Sequence, residues 1–490
     1  MAKELNAIVI GSGIAGLASA CRLKHLGFKV RVFEAAPSYG GKLAETRLGV
    51  FRFDKGPSLF TLPEEVDDLF LFCAKNPRDY YTYKQLPIIT KYFFSDGSLV
   101  NAYANLEQFK QELQIQLGES KEVLDRFFQY IEKVYNFVSP IFLQHPIKKF
   151  YKYLPLSLLK SIRMSLQIGA FQTLAKSNAA WFRNPKTQML FNRFATYNGS
   201  NPYKAPATLN VIPHLEHRLG AYFVEGGMRA AADAIYQLAI DLGVEFQFNA
   251  KVDEILLEGK IAKGVRIGKE LFMANQVFCN MDVNLAYPHL LKQVAPPQIY
   301  LKQEKSSSAL VFYWAMDRSF DLLDVHNLVF SANYKEEFEC LSEAKVYHDP
   351  SIYIYISSKV EEKDAPLNKE NWFVMINAPN DTGQNWEEIK REAKANILQR
   401  LNNLLHCNVS DYILEETYLG PKEIALHTNS YAGALYGNSS NNRFAAFLRH
   451  PHQNGGLKNL SFVGGSTHPG GGIPLCLLSA KIAVNEMDLE

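Results

Sequence analysis

Three glycines and a carboxylate near the start of the chain carry the first chemical signal. Gly11, Gly13 and Gly16 stand in GxGxxG spacing, and Glu34 follows eighteen positions after the last of them. The set suits a dinucleotide. Gly11 permits a tight turn, Gly13 lets a pyrophosphate approach the backbone, Gly16 lets a helix lie close on a strand, and Glu34 accepts from a ribose hydroxyl. Ser12, Ile14 and Ala15 fill the turn and open the helix, whose free amides face the phosphates. Three glycines alone are a weak sign, but the surrounding pattern strengthens them. AIVIG has the composition of a buried parallel strand, a helical pattern runs to Leu26 and stops at Gly27, and FKVRVFE reads as a second strand ending on Glu34.

The opposite end of the chain holds a second concentration of bare backbone. Five of the eleven residues from Gly464 to Pro474 are glycine, between a strand pattern, NLSFVGG, and a helix pattern, IPLCLLSAKIAVNEM. A strand, glycine loop and helix in that order bring a second helix N-terminus and more backbone donors to a long ligand. Two further close-approach sites lie at Gly40–Gly41, followed by Lys42 and Leu43, and at Gly56–Pro57–Ser58. A simple nicotinamide-binding unit has no use for so much exposed backbone this soon after the acid.

The order GSGIAGLASA, then E-x5-GGK, then FDKGPS, closed by GGSTHPGGGIP, resembles the FAD-dependent carotenoid desaturases of the bacterial phytoene desaturase type. These share a fold superfamily with amine oxidases and GDP-dissociation inhibitors. The resemblance spans nearly the whole length and implies an α/β fold: a Rossmann-like FAD-binding domain with an inserted α+β substrate domain. The FAD-binding domain is expected to be discontinuous, over residues 1–75, 216–289 and 416–490, and the substrate domain to take 76–215 and 290–415. By position, the resemblance assigns cofactor contacts to the first motif (Gly11, Ser12, Gly13, Ile14, Ala15, Gly16), to Glu34 and Ala35, and to Gly40, Gly41, Lys42 and Leu43. Gly56, Pro57 and Ser58 join them. It further implies a backbone contact to adenine at Val252 and a strand, VFCNMDV, that returns to the cofactor at Asn280 and Met281. Gly465, Gly472, Ile473 and Pro474 are expected along the flavin.

Within the family, FATYNGSNPYKAPATLNVIPHLE followed by YFVEGGM is most similar to the hydroxycarotenoid and methoxycarotenoid 3,4-desaturases. The resemblance implies a C3–C4 double bond placed at the acyclic, 1-hydroxylated end of a C40 carotenoid. A hydride leaves to flavin N5 and a proton is lost. The base for that proton is left open; Glu225, before the Gly226–Gly227 pair, is the candidate, with Tyr197, Arg193 and Arg218 as other polar groups. His468, beside Pro469, reads better as a loop scaffold than as a base. The alternatives are a phytoene desaturase or carotene isomerase, a flavin amine oxidase, and a non-catalytic isoprenoid-binding protein. Amine oxidases usually place an aromatic residue of the tail opposite the flavin, and THPGGGIP has none.

From Lys133 to Leu215 there is no Asp or Glu, while eleven Lys and Arg residues are interleaved with Phe, Tyr and Leu, as in PIKKFYKYLPLSLLKSIRMSLQIGAF. This segment, near 133–180, is expected to dock as helix on an anionic membrane surface rather than on nucleic acid. A cytoplasmic, peripherally membrane-associated protein follows, drawing its carotenoid from the bilayer and passing electrons to oxygen or a quinone.

Composition bounds these readings. A chain of 490 residues with 47% hydrophobic and 21% charged content is an ordered protein with more than one core. Six scattered cysteines without a CxxC pair argue against a disulfide framework or a zinc site, and suit a reducing compartment. The first motif begins within a few residues of Met1, so no signal peptide is expected, and no apolar run is long and clean enough to cross a bilayer. His214 and His217, in HLEH, lack a third ligand at suitable spacing, so no metal is expected.

Overall fold

The computed structural model describes residues 5–146 and 168–487. Its first unit is strand β1 (Asn6–Ile10), helix α1 (Ile14–His25) and strand β2 (Lys29–Phe33). β1 is apolar because both of its faces are covered: Ala7 and Val9 pack on the α1 side, Ile8 and Ile10 on the other. It pairs in parallel with β2 and with Gln276–Cys279, and Glu245–Gln247 and Leu460–Phe462 extend the sheet to five parallel strands. Helices α1, Met228–Asp241 and Ile473–Asn485 cover one face, and an antiparallel sheet of Glu254–Glu258, Ile261–Ile267 and Glu270–Met273 covers the other. Ten of the twelve residues of α1 are buried. Its run of Ala, Gly, Ser and Cys lets neighbouring helices approach closely, while Leu17 and Leu23 each contribute about 2 kcal/mol by burial.

A second sheet has seven strands, in the order Ile413–Leu419, Ser308–Met316, Glu370–Ala378, Ile352–Ile356, His326–Val329, Ile88–Phe93 and Leu99–Tyr103. All neighbours are antiparallel except His326–Val329 with Ile88–Phe93. The run SALVFYWAM is buried at every position because both faces of its strand are packed. Leu310, Phe312, Trp314 and Met316 meet the helix Trp386–Leu405, whereas Ala309, Val311, Tyr313 and Ala315 turn the opposite way toward Phe51, Phe53 and Phe223. The strand Ile413–Leu419 runs across the division expected at 415/416, and Tyr83–Gln85 pairs with Ala221–Val224 across the one expected at 75/76.

A helical layer around Lys121–Val138 closes the assembly over an aromatic core that includes Phe127, Phe128, Phe182, Phe191 and Phe194. Of the basic segment expected near 133–180, residues 147–167 lie outside the described residues. Lys133, Lys176, Arg183 and Lys204 are exposed. Arg193, also in the acid-free run, is buried, because Glu216 just past that run pairs with it, and so it is not available to a membrane surface.

Candidate cofactor and active site

At the turn from β1 to α1, Gly11 has φ +89°, a conformation that glycine adopts freely. A Cβ on Gly16 would stand 2.1 Å from the Gly11 carbonyl oxygen, so helix and strand meet at a distance only glycine allows. Glu34, at the end of β2, accepts from the Ser12 N–H and the Ser12 hydroxyl, both at 2.7 Å, and from the Ala36 N–H at 2.8 Å. The carboxylate is thereby fixed beside the turn. Beneath it, Ala250 donates to the Glu34 carbonyl at 2.8 Å, and Val252 is buried with Phe33. Ala35 is exposed.

The other glycine segments gather on the same turn. Gly40 donates to the Ser12 carbonyl at 2.9 Å, and a Cβ on Gly41 would lie 3.3 Å from the Gly13 Cα. A Cβ on Gly56 would lie 2.2 Å from the Lys42 carbonyl, which locks the Gly56–Ser58 loop onto Lys42 and Leu43. Asn280 ties in the tail: its Oδ1 accepts from the Gly16 N–H at 3.1 Å and its Nδ2 donates to the Val463 carbonyl at 3.0 Å. Beyond Val463, Gly464 donates to Ser479 Oγ at 3.1 Å, Gly465 packs against Gly471, and Gly472 at φ +110° opens the helix that begins Ile473–Pro474. Met281 and Pro57 sit at the margins, half-buried and exposed respectively.

Several side chains are deep in the molecule yet keep accessible surface, which is how residues bordering an internal space behave. Lys42, Tyr197, Tyr353, Tyr436 and Cys476 are of this kind: burial raises the pKa of Tyr197, Tyr353, Tyr436 and Cys476 and lowers that of Lys42. Lys42 Nζ donates to the carbonyls of Leu435 at 2.6 Å and Ala434 at 3.3 Å. On the opposite side of that segment, a Cβ on Gly471 would stand 2.8 Å from the Tyr436 Cα, and one on Gly437 would stand 2.9 Å from the Ser466 Cα. Residues 434–437 are therefore held between the Lys42 loop and the glycine tail. The sequence reading missed this segment; its only signal is the pair Gly433 and Gly437 in YAGALYGNSS.

The face of the seven-stranded sheet turned toward these loops carries Tyr313, Tyr355, Phe373, Tyr353 and Met375. Tyr353 bonds Ser58 Oγ at 2.7 Å and His326 Nδ1 at 2.7 Å. Farther along the same face Tyr92 accepts from Arg193 Nε at 2.7 Å, while Arg193 Nη2 lies 3.0 Å from Glu216 Oε1 and the Tyr197 hydroxyl donates to the same carboxylate. Burial raises the pKa of Glu216, and the Arg193 cation pulls it part of the way back. Burial pushes His326 down to about 3.

Glu225 has no part in this arrangement. It is exposed at the end of Ala221–Val224 and accepts from the Thr82 hydroxyl, so its strand directs the carboxylate away from the buried groups. Arg218 is likewise half exposed, 3.9 Å from Glu132. His468 is buried, its N–H donates to the His450 carbonyl and its Nε2 to the His145 carbonyl, each at 2.9 Å. Burial lowers its pKa to about 3, so it is a neutral brace of the loop. Among the described residues no group of three or more His, Cys, Asp or Glu is placed to hold a metal ion, and no helix is long and apolar enough to cross a membrane.

Residues 14–488 match the family described as flavin containing amine oxidoreductase. The chain is 46% identical over 481 residues to a 1-hydroxycarotenoid 3,4-desaturase of Flavobacterium sp. (strain P99-3), covering 98% of both chains. It is 28% identical over 502 residues to a 4,4'-diapophytoene desaturase (4,4'-diaponeurosporene-forming) of Staphylococcus aureus (strain Newman), covering 98% of this chain and 99% of that one. Among solved structures, an oxidoreductase from Methanosarcina mazei superposes with a TM-score of 0.68 at 14% identity over 98% of this chain and all of its own, which shows the fold. The glycine turn with its placed acid, the loops stacked on it and a full-length match agree: the chain belongs to the flavin containing amine oxidoreductase family, and its cofactor is FAD.

Proposed function

We propose that the protein is a carotenoid desaturase that uses FAD to introduce a C3–C4 double bond at the acyclic, 1-hydroxylated end of its substrate. The observation that carries this reading is the wall facing the glycine loops. It is built of Tyr313, Tyr353, Tyr355, Phe373 and Met375, and the carboxylate that meets it, Asp54 at 3.2 Å from the Tyr355 hydroxyl, is paired with Arg52. Such a wall accommodates a long, uncharged polyene and holds it in one orientation. The 46% identity to an enzyme named for this reaction supports the position of the bond.

Bound FAD supplies the hydride acceptor. The residues that would hold it are the first motif, Glu34, Gly40–Leu43, Gly56–Ser58, Val252, Asn280–Met281 and the Gly465 to Pro474 segment. Lys42, with its ammonium satisfied by two carbonyls, fixes one loop against the other. The same reading places the protein at the cytoplasmic face of a membrane, docked through the basic segment 133–180, with oxygen or a quinone taking the electrons. Within that segment Phe171 is exposed, and Phe142 meets Phe447, three residues after the exposed Phe444, ring to ring at 5.1 Å.

The test is incubation of protein, FAD and liposomes with either a 1-hydroxylated acyclic carotenoid or phytoene, followed by absorption and chromatography. A red shift with the hydroxylated carotenoid alone is expected. Colour from phytoene would move the enzyme to an earlier desaturation, and silence with both while FAD stays bound would sink the desaturase reading. Flotation with anionic and neutral liposomes at low and high salt tests docking, which is expected only on anionic vesicles at low salt.

A further inference from the structure

We infer that the phenol of Tyr436 selects for a hydroxyl on the substrate end that is being desaturated. The inference rests on the reading above, that the reacting bond is C3–C4 of a 1-hydroxylated end. In that substrate the hydroxyl oxygen is three bonds from C3, so it lies beside the flavin whenever the reacting carbons do. The group that recognises it must then stand at the cofactor loops, not at a distant end of a tunnel.

The polar side chains bordering the internal space there are nearly all engaged. Lys42 is taken by two carbonyls, and Ser58 and Tyr353 bond each other. Tyr436 is the exception. Its N–H donates to Ser306 Oγ at 2.9 Å and its backbone is pressed onto Gly471, so the residue is well fixed. Its hydroxyl makes no hydrogen bond among the described residues, and the residue is only half-buried although it is deep in the molecule. Burial raises its pKa, so the phenol stays protonated and serves as both donor and acceptor, which matches an alcohol that is also both. A substrate lacking the hydroxyl would leave this phenol desolvated and unpaired, and that penalty discriminates against it.

The test uses holoenzyme in liposomes and two substrates, a 1-hydroxylated acyclic carotenoid and the same polyene with hydrogen at that position. Tyr436→Phe removes the oxygen and keeps the ring against Gly471. The ratio of kcat/KM values, hydroxylated over deoxy, is expected to fall about tenfold or more, chiefly through KM, with FAD content unchanged. An unchanged ratio overturns the inference, whether both activities fall together or neither does. Should the Phe variant lose FAD, Ser306→Ala, which frees the Tyr436 loop without touching the phenol, must lower the same ratio; if it does not, the inference fails. A wild-type enzyme silent toward the hydroxylated carotenoid fails the functional reading itself. Wild-type activity on it with an unchanged ratio in Tyr436→Phe fails this inference alone.

Discussion

Arg193 and Glu216 form an ion pair inside an aromatic core, with Nη2 and Oε1 at 3.0 Å, the guanidinium 4.6 Å from the Phe194 ring centroid, and Glu216 fully buried. The hydroxyls of Tyr92 and Tyr197 complete the hydrogen bonding of the pair. Removing one charge strands the other. Glu216→Ala is expected to destabilise by about 3–5 kcal/mol, and the double change Arg193→Met with Glu216→Leu by less than the single one. Denaturant midpoints of the three variants check both statements.

Asn280 joins the first glycine motif to the tail through one amide group. Asn280→Ala leaves the Gly16 N–H and the Val463 carbonyl unpaired, at about 1–3 kcal/mol for each group. Weaker FAD binding is expected, with a smaller effect on the aromatic helical layer. Flavin fluorescence titration against thermal unfolding separates the two.

Gly16 and Gly472 are required for different reasons, and their alanine variants should separate. At Gly16 the new Cβ meets the Gly11 carbonyl at 2.1 Å, so the backbone must move and the purified variant should carry little FAD. At Gly472 there is open space but φ is +110°, so alanine introduces strain of about 1–3 kcal/mol in a chain that still folds. The flavin-to-protein absorbance ratio and Tm of each variant test the contrast.

Three buried histidines set the acid stability. His217, His326 and His468 are each pushed down to about 3 by burial, so each is neutral in the folded protein and takes up a proton near pH 6.5 once unfolded. Their contribution is complete above pH 6.5 and is lost as pH falls, at about 1.4 kcal/mol per pH unit for each histidine. Asp364 works the other way. Burial lifts it to about 6, against the Ser357 hydroxyl bond and the Arg52 cation, so its contribution is present below about pH 4 and lost as pH rises through 6. Three protons outweigh one, and the unfolding midpoint should drop steeply between pH 6.5 and 4.5. Replacing His217, whose ring stacks on Phe109 at 4.5 Å, by Phe should flatten that slope by about half below pH 6, where Asp364 opposes the three histidines.

The N-terminal βαβ unit was legible in the sequence because its signals are local: apolar run, glycine spacing and acid lie within one stretch of chain. Tyr436 was not, since its position depends on Lys42 from one loop and Gly471 from another, each far away in sequence. The Arg193–Glu216 pair was not legible, because a charged residue announces burial only through its partner, and Glu216 lies just beyond the acid-free stretch. Glu225 failed in the opposite sense. Adjacent glycines suggested a close approach to ligand, whereas the Ala221–Val224 strand presents its carboxylate to Thr82 and solvent. The apolar run SALVFYWAM gave its strand but not its two-sidedness, because a strand packed on both faces loses the alternation that tells one face from the other.

The five-stranded sheet places Leu460–Phe462 beside Gln276–Cys279, one strand away from β1. The ribosome therefore delivers the last wall of the cofactor cleft some four hundred and fifty residues after the first. Until then the apolar edge of Gln276–Cys279 and the underside of α1 wait without their final neighbours, exposed to aggregation or to chaperones. Flavin loading in this sense waits for the last strand, and availability of FAD once Leu460–Phe462 has joined the sheet, rather than before, governs how much of the protein matures.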